Sequence, residues 1–361
     1  MNIKNILFIQ DTPPCIRTIK IATVLSGKGF NIHLMYNGKY SANNTNEIFT
    51  SLNKLKFFNK MKIKQISSFI ENNNIQLIHY HNEPDNLCAN IINANFSIPI
   101  IYDQHDYLSP KRTMKAKDLV AEKVCNEKAD GNIYITEKYK DLVGERYKTT
   151  NQYLILPNLL LLSTIPKKLK EKFSKHDGKI HLVYIGLITQ HKNKIRNLVE
   201  HFTMLSSKGF IIHVYPTRNK SYPIYEQIPN LIMHEQLPIN KLLIELSRYD
   251  FGILFLNMES VSKEEQDELK NGAWNKFYDY LSAGIPSITL SSYEYMQGLV
   301  EKNHLGVVYS DVNEIDNKSL NDFDKIKFIK SLEENRTRFS MDSKADDIIS
   351  FYKQSLSDFR R

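Results

Sequence analysis

Residues 26–35 read SGKGFNIHLM and residues 206–215 read SSKGFIIHVY, so one short pattern occurs twice in the chain. Six identities recur at a constant offset (206 − 26 = 180), from Ser26 and Ser206 to His33 and His213. In both copies a glycine can end a helix in the left-handed conformation, and the apolar residues after it can form a buried strand. A constant offset over eight positions favours two similar folding units over a chance match.

Each copy continues a longer strand-helix-strand pattern. The first runs through a strand at 6–9, a helix at 16–25 and a strand at 30–35, and the second through a strand at 180–185, a helix at 193–205 and a strand at 211–215. Further strands are predicted at 75–80, 99–102, 131–135, 153–156, 230–234, 251–256 and 287–290. Strands that alternate with helices form parallel sheets, so the fold class is α/β with two Rossmann-like, doubly wound domains.

The chain of 361 residues is long enough for two such domains. The polar, lysine-rich stretch 164–179 is the best candidate for a linker. We therefore predict an N-terminal domain over 1–165 and a C-terminal domain over 166–340. Residues 341–361 should add a helix that packs back toward the N-terminal domain.

Cysteine content and the N-terminus indicate the compartment. Cys15, Cys88 and Cys125 are few, odd in number and far apart, which excludes a disulfide framework or a paired metal knuckle and predicts a reducing, cytoplasmic location. The apolar run at 6–9 is too short for a signal peptide or a spanning helix, so it is interpreted as a first buried strand.

The charge balance is modestly basic, with a net charge of +8. Residues 1–165 carry 20 basic and 14 acidic side chains, whereas residues 166–361 carry 28 and 26. A patch such as Lys111, Arg112, Lys115 and Lys117 would suit anionic lipid, an acidic acceptor or nucleic acid, although a solvated surface is the simpler interpretation. Since no nucleic-acid-binding motif accompanies it, nucleic acid is not an expected partner.

Polar residues in the first half follow two predicted strands. His79 and His81 end one strand, and His105 and Asp106 follow the next. Ligands bind beyond the carboxyl ends of parallel strands, so these residues should surround a binding site. The histidines lack the spacing of a zinc helix, and we predict no metal. His105 either contacts a polar substrate or assists proton transfer, or it only satisfies a buried carbonyl; the sequence leaves both open.

The segment NKFYDYLSAGIPSI at 275–288 is the most informative in the chain. A helix that begins near Asn275 places Lys276 in its first turn and Asp279 one turn later, and Gly284 with Pro286 ends it. A cation at a helix N-terminus suits a diphosphate, and a carboxylate below it suits ribose hydroxyls. An ordinary amphipathic helix with a surface lysine fits equally well.

This segment resembles the donor-site signature of GT-B glycosyltransferases, in particular the retaining family 4. Segments at 101–106, 129–136, 156–158 and 183–186 resemble other motifs of that family and occur in its order. The resemblance covers about residues 5–310 and implies two facing Rossmann-like domains with a cleft between them. It also implies that the donor binds the second domain and the acceptor the first.

The resemblance assigns roles to individual residues. Lys276 would neutralise the leaving diphosphate, Asp279 would hold the ribose, and Gly186 would let the backbone approach the phosphates. The full donor set that it implies is Gly186, Lys192, Asn275, Lys276, Asp279 and Tyr280, with Lys192 in a basic phosphate role. Catalysis would involve His105, Asp106 and Lys276, and Arg17 and His81 would contact the acceptor or a phosphate.

The activity that the resemblance implies is transfer of a sugar from a nucleotide-sugar donor to a hydroxyl of a glycan or lipid-linked acceptor in bacterial cell-envelope polysaccharide synthesis. It would be retaining and would need no metal or other cofactor, and it leaves room for peripheral contact with an anionic membrane at its inner face. Two alternatives stay open: a sugar-nucleotide epimerase or phosphorylase on the same fold, and a non-catalytic sugar-nucleotide-binding partner. The non-catalytic alternative is made plausible by two departures from the family: Leu187 stands where an arginine is common, and Asn271 stands where a glutamate is common.

Overall fold

The computed structural model describes residues 3–40, 47–111, 113–150, 152–192, 194–259 and 261–359. They form two compact units: unit 1 comprises residues 1–157 and 341–361, and unit 2 comprises residues 158–340. The chain enters unit 2 eight residues before the expected boundary (165 − 157 = 8). The stretch 164–179 belongs to unit 2, where the Phe173 amide donates to the Arg248 carbonyl at 3.0 Å and the Arg248 guanidinium lies 3.9 Å from the Phe173 ring centre.

Over the described residues, unit 1 contains seven strands, six helices in its N-terminal stretch and the last helix of the chain, apart from short 3-10 turns. The N-terminal stretch runs β1 (Asn5–Gln10), α1 (Ile16–Gly27), β2 (Asn31–Tyr36), β3 (Ser51–Lys54), α2 (Asn59–Asn72), β4 (Leu77–His81), α3 (Asn86–Asn93), β5 (Ile100–Gln104), α4 (Leu108–Lys111), α5 (Ala116–Lys128), β6 (Gly131–Tyr134), α6 (Glu137–Gly144) and β7 (Tyr153–Ile155).

The sheet of unit 1 is parallel, with the strand order β3-β2-β1-β4-β5-β6-β7. The order reverses between β1 and β4, and polar side chains collect at the carboxyl ends of these central strands, as expected at a topological switch point. Apolar residues of the strands, such as Leu7, Ile78 and Ile100, are fully buried against the helices. This burial on both faces is why the strands are continuous apolar runs in the sequence.

Unit 2 repeats the architecture. Its elements are α7 (Ser174–Asp177), β8 (His181–Gly186), α8 (Val199–Ser207), β9 (Ile211–Pro216), α9 (Pro223–Glu226), β10 (Leu231–Met233), α10 (Ile239–Leu246), β11 (Phe251–Ile253), α11 (Lys263–Lys270), α12 (Asn275–Ala283), β12 (Ser287–Leu290), α13 (Glu294–Lys302), β13 (Gly306–Tyr309), α14 (Asn317–Asn321) and α15 (Lys325–Arg338). The parallel strand order is β10-β9-β8-β11-β12-β13. The last helix, α16 (Ala345–Asp358), belongs to unit 1.

Both doubly wound units confirm the predicted α/β class, with differences at individual elements. The helix predicted at 193–205 begins only at Val199, because the preceding residues form a loop in which the Thr189 amide bonds the Arg196 carbonyl at 3.0 Å. The strands β3 and β13 were not predicted from the sequence. Most of their residues are only half-buried, so their side chains lack a strong apolar pattern.

None of the helices described combines the length and the hydropathy that are needed to cross a bilayer.

Candidate functional site

A cavity of about 280 Å³ opens in unit 2 at the carboxyl ends of β8 and β9 and at the first turn of α12. Its volume is near the lower end of the range for small-molecule sites. Its lining comprises Ile185, Gly186, Leu187, Arg196, Tyr215, Pro216, Thr217, Gln236, Leu237, Leu242, Asn275, Lys276 and Asp279. Four of the six predicted donor-binding residues, Gly186, Asn275, Lys276 and Asp279, therefore share one cavity.

Lys276 is the unusual residue of this cavity. Its ammonium nitrogen is buried and has no hydrogen-bond partner among the described residues, although the residue as a whole keeps some exposure. The nitrogen lies 3.6 Å from the ring centre of Tyr184. Burial and the nearby Arg196 charge hold the pKa of Lys276 well below its usual value. A buried amine without a partner is costly unless a ligand supplies the partner.

The start of α12 adds further positive potential. Trp274 at the N-cap position makes no side-chain capping bond, and the first turn contains no acidic residue. The positive end of the dipole of this nine-residue helix therefore coincides with Lys276, which lies in the first turn. A helix terminus together with a lysine is a combination that suits an anion.

Gly186 ends β8 opposite Lys276. Its φ of +125° lies in a region that favours glycine, and a Cβ atom there would meet the Lys276 Cε at 3.0 Å. The glycine therefore makes room for the lysine as well as for a ligand.

Tyr280 belongs to the core and is not a lining residue. Its hydroxyl donates toward the Val183 carbonyl at 3.1 Å and accepts from the Ile185 amide at 3.3 Å, while its ring covers Gly252. This placement corrects the predicted donor-binding role: Tyr280 joins α12 to the β8 backbone, which fixes Lys276 and Asp279 relative to the sheet.

Lys192 also differs from its predicted role. The side chain is exposed, and it is not among the described residues that line the cavity. Arg196, four residues later in the same loop, lines the cavity instead. Sequence reasoning missed Arg196 because the helix was expected to begin at residue 193, which would have placed the arginine on its surface.

In unit 1, a cysteine and a histidine meet at the carboxyl ends of β1 and β5. The Cys15 sulfur lies 3.9 Å from Nε2 of His105 and 3.3 Å from the Thr18 hydroxyl. Burial disfavours charge on both groups, but each charge stabilises the other. As a result the pKa of Cys15 falls to about 6 and the pKa of His105 rises to about 9. Both shifts favour the thiolate-imidazolium form of the pair.

His105 is half-buried, and its Nδ1 has no partner in the part of the chain that the structure describes. Asp106 follows it and raises the pKa of His105 further, while Asn82 bonds the Asp106 backbone at 2.5 Å and 3.3 Å. His105 and Asp106 follow the end of β5, and their catalytic role stays a prediction. Cys15 was missed, because one cysteine in a loop carries no recognisable spacing signal.

Arg17 and His81 lie in a buried cluster rather than at an open surface, which corrects their predicted phosphate or acceptor role. Arg17 donates to the two Asp103 oxygens at 2.7 Å and 2.9 Å, and the arginine is only 2% exposed. His81 Nδ1 lies 3.3 Å from Asp103, and burial lowers the pKa of His81 to about 3. Arg17 outweighs burial and holds the pKa of Asp103 well below its usual value.

The same cluster is the one place, among the described residues, where three metal-ligand atoms lie within 4.8 Å of one another, from His79, His81 and Asp103. Asp103 already accepts two hydrogen bonds from Arg17, and that fixed positive charge opposes a divalent cation. The two imidazole rings are stacked at 4.2 Å with an angle of 13°, so their nitrogens do not converge well on one ion. These residues fit a buried ion pair better than a metal centre.

Comparisons with known proteins agree with this geometry. Residues 185–341 match the family model described as "Glucosyltransferase 3-like, C-terminal domain". No curated protein matches the chain in sequence.

Several solved structures share the fold over nearly the whole chain. A glycosyltransferase from Rickettsia africae has a TM-score of 0.70 at 12% identity, with 99% of this chain and 100% of that chain covered. A sucrose-phosphate synthase from Thermosynechococcus elongatus has 0.69 at 11%, covering 98% and 99%. HepE of Anabaena, in complex with UDP and glucose, has 0.69 at 12%, covering 98% and 99%. The fold is that of GT-B glycosyltransferases.

Proposed function

We propose that this GT-B protein is a glycosyltransferase that binds a nucleotide sugar in the cavity of unit 2. The observation that carries the proposal is the buried Lys276 ammonium, which has no hydrogen-bond partner among the described residues and lies beside the open N-terminus of α12. A diphosphate would supply the missing acceptors. The family model matched by residues 185–341 supports the same assignment independently.

Different lining residues would contact different parts of such a donor. Lys276, Arg196 and the first amides of α12 would stabilise the negative charge that develops on the leaving diphosphate. Asp279, one turn below Lys276, would accept hydrogen bonds from the ribose hydroxyls. Gly186 would leave space for the diphosphate, and Asn275 would contact it from the helix start. UDP-glucose is the first donor to test, since the HepE structures contain UDP and glucose or UDP-glucose.

In the reaction, an acceptor hydroxyl forms a bond to the anomeric carbon while the bond from that carbon to the diphosphate oxygen breaks, and the proton of the hydroxyl passes to the departing diphosphate. The electron pair goes to the diphosphate, where Lys276 and Arg196 provide fixed positive charge; hence no metal ion is assigned to this step. His105 and Asp106 of unit 1 are proposed to act on the acceptor side, where the neighbouring Cys15 raises the pKa of His105.

The finer features are proposals as well. Retention of configuration is supported by the likeness of residues 275–288 to family 4, and independence of metal by the two cations in the cavity. A hydroxyl of a cell-envelope glycan or a lipid-linked acceptor is our expected acceptor.

A ligand panel tests the proposal directly. UDP-, GDP-, ADP- and CMP-sugars are each titrated into wild-type protein and into Lys276→Met, and the unfolding temperature and calorimetric affinity are recorded. Binding of at least one sugar nucleotide that weakens in the variant supports the donor site, because a ligand that binds only the folded state raises its stability. Equal binding to both proteins would contradict it.

Product analysis then separates the activities. Transfer requires an added acceptor and releases the nucleoside diphosphate. An epimerase would change the donor without any acceptor, and a phosphorylase would depend on inorganic phosphate. Binding without transfer or donor hydrolysis would indicate a non-catalytic partner.

A further inference from the structure

Residues 54–64 of unit 1, KLKFFNKMKIK, form a surface that the donor chemistry does not use. Phe57 is 87% exposed, Phe58 64% and Met61 47%, so three large apolar side chains project together into solvent. The two phenylalanine rings pack edge to face with their centres 5.0 Å apart. Large exposed apolar groups that adjoin one another indicate an interaction surface.

We call residues 54–64 the lysine-phenylalanine patch, and all of its charged side chains are positive. Its eleven residues contain five lysines and no acidic residue. Four of these lysines are exposed, and none of the four forms an ion pair with a described residue; they are Lys54, Lys56, Lys60 and Lys64. The fifth, Lys62, is buried.

The start of α2 adds to this positive potential. Phe58 at its N-cap position makes no side-chain capping bond, and its first turn holds no acid. Lysine near a helix N-terminus opposes the helix dipole, so this arrangement weakens the helix unless an anion binds there.

The patch has a defined backbone conformation. The Gln65 side chain donates to the Lys54 carbonyl and accepts from the Lys56 amide, both at 2.9 Å. Lys62 pairs with Asp11 at 2.6 Å, and this pair ties α2 to the loop that follows β1. Because of these contacts, Phe57 and Phe58 project from a fixed turn.

We propose that the lysine-phenylalanine patch docks unit 1 on an anionic lipid bilayer. Phe57 and Phe58 insert among the headgroups, and the four exposed lysines pair with lipid phosphates. Aromatic groups that insert at the interface, together with several cations, are the combination that holds a protein reversibly on such a surface.

The lysine-phenylalanine patch lies near the edge of the sheet that carries the Cys15 loop. Lys54 is in register with Tyr36, which is in register with Gln10, so the patch begins at the same edge of the sheet as the loop with Cys15. Two strand spacings, about 10 Å, separate the ends of β3 and β1. If the proposed function holds, docking would bring lipid-linked acceptors to the edge where His105 lies.

A second surface of the molecule serves as a matched control. On α15, Ile326 is 69% exposed and Ile329 64% exposed, with three lysines beside them. However, residues 321–334 also contain four acidic side chains, which gives this segment a net charge of −1 (3 − 4). It matches the patch in apolar exposure and differs in charge.

The test is flotation of the full chain with phosphatidylcholine vesicles, with and without phosphatidylglycerol. Wild-type protein should float with anionic vesicles and much less with neutral ones, and added salt should release it. Phe57→Ser/Phe58→Ser should weaken the partition about tenfold or more. Lys56→Gln/Lys60→Gln/Lys64→Gln should weaken it by about fivefold for each lysine. Ile326→Ser/Ile329→Ser should float like the wild type.

Several results would overturn the proposal: equal flotation with both vesicle types, unchanged flotation of the phenylalanine variant, or loss of flotation in the isoleucine control. A wild-type protein that binds RNA but no vesicles would assign the lysines to nucleic acid. A wild-type dimer that the phenylalanine substitutions dissociate, again without vesicle binding, would assign the patch to a second copy. The unfolding temperature of each variant reports on its fold, and its UDP-glucose binding reports on the cavity of unit 2. These two measurements therefore distinguish a failure of membrane docking from a failure of the proposed function.

Discussion

Replacement of Lys276 by methionine should raise the stability of the empty protein and weaken donor binding. Because one effect is favourable and the other unfavourable, a general loss of folding cannot produce both. Methionine keeps the length and the apolar stem of the side chain but removes the ammonium. In the empty cavity that ammonium has no hydrogen-bond partner among the described residues. An unsatisfied buried donor costs about 1–3 kcal/mol, of which the contact with the Tyr184 ring offsets about 0.5–2 kcal/mol.

The net gain on substitution is therefore on the order of 1 kcal/mol. For a unit of this size, 183 residues (340 − 158 + 1), such a gain raises the unfolding temperature by about 2–4 °C. In the complex, the lost bond from a charged donor is worth about 1.5–3 kcal/mol, so the dissociation constant should rise about ten- to 150-fold.

Differential scanning calorimetry of the empty proteins and isothermal titration with the best donor measure both quantities. Lys263→Met is the matched control, because Lys263 is also a first-turn lysine of a helix in unit 2 but is exposed. The control should change neither quantity appreciably. A Lys276→Met protein that is less stable than wild type and binds the donor equally well would refute the reasoning.

Three further predictions concern charge. Because burial lowers the pKa of Lys276 and a diphosphate would raise it again, donor binding should take up protons and tighten as the pH falls. Titrations in buffers of different ionisation enthalpy measure this uptake, and its absence would count against a lowered pKa of Lys276 in the empty site. Arg196→Met should weaken donor binding about tenfold or more, and Lys192→Met should weaken it much less, because Arg196 lines the cavity and Lys192 does not. A larger effect of the Lys192 substitution would restore the phosphate role to Lys192. Cys15→Ser removes the thiolate that raises the pKa of His105, so the imidazole resonances of His105 should titrate well below the wild-type value of about 9; an unchanged titration would mean that Cys15 does not control this charge.

Much of the fold was predictable because most of its strands are buried on both faces and because a glycine follows α1 and α8. Gly29 and Gly209 both have positive φ and both stand between a helix and a strand, as the repeated pattern required. The half-buried strands β3 and β13 left no comparable periodicity, so the sequence could not reveal them. Local sequence patterns also do not reveal helix boundaries that tertiary contacts set, such as the start of α8 at Val199.

The candidate site was predictable where backbone geometry alone decides it. Lys276, Asp279 and Gly186 follow from the start of a helix and the end of a strand, and all three line the cavity. Side-chain direction was not predictable: Tyr280 lies one residue from Asp279 but turns into the core. Arg17 was expected to contact the acceptor or a phosphate, whereas it pairs with Asp103, which is 86 residues away in the sequence.

The most direct measurement of the central claim is a crystal structure of the protein with UDP-glucose, or with UDP if the sugar is hydrolysed. We predict diphosphate oxygens within hydrogen-bonding distance of the Lys276 ammonium and the first amides of α12, with the ribose hydroxyls at Asp279. A nucleotide bound elsewhere in the molecule, with the Lys276 ammonium still without a ligand, would contradict the account.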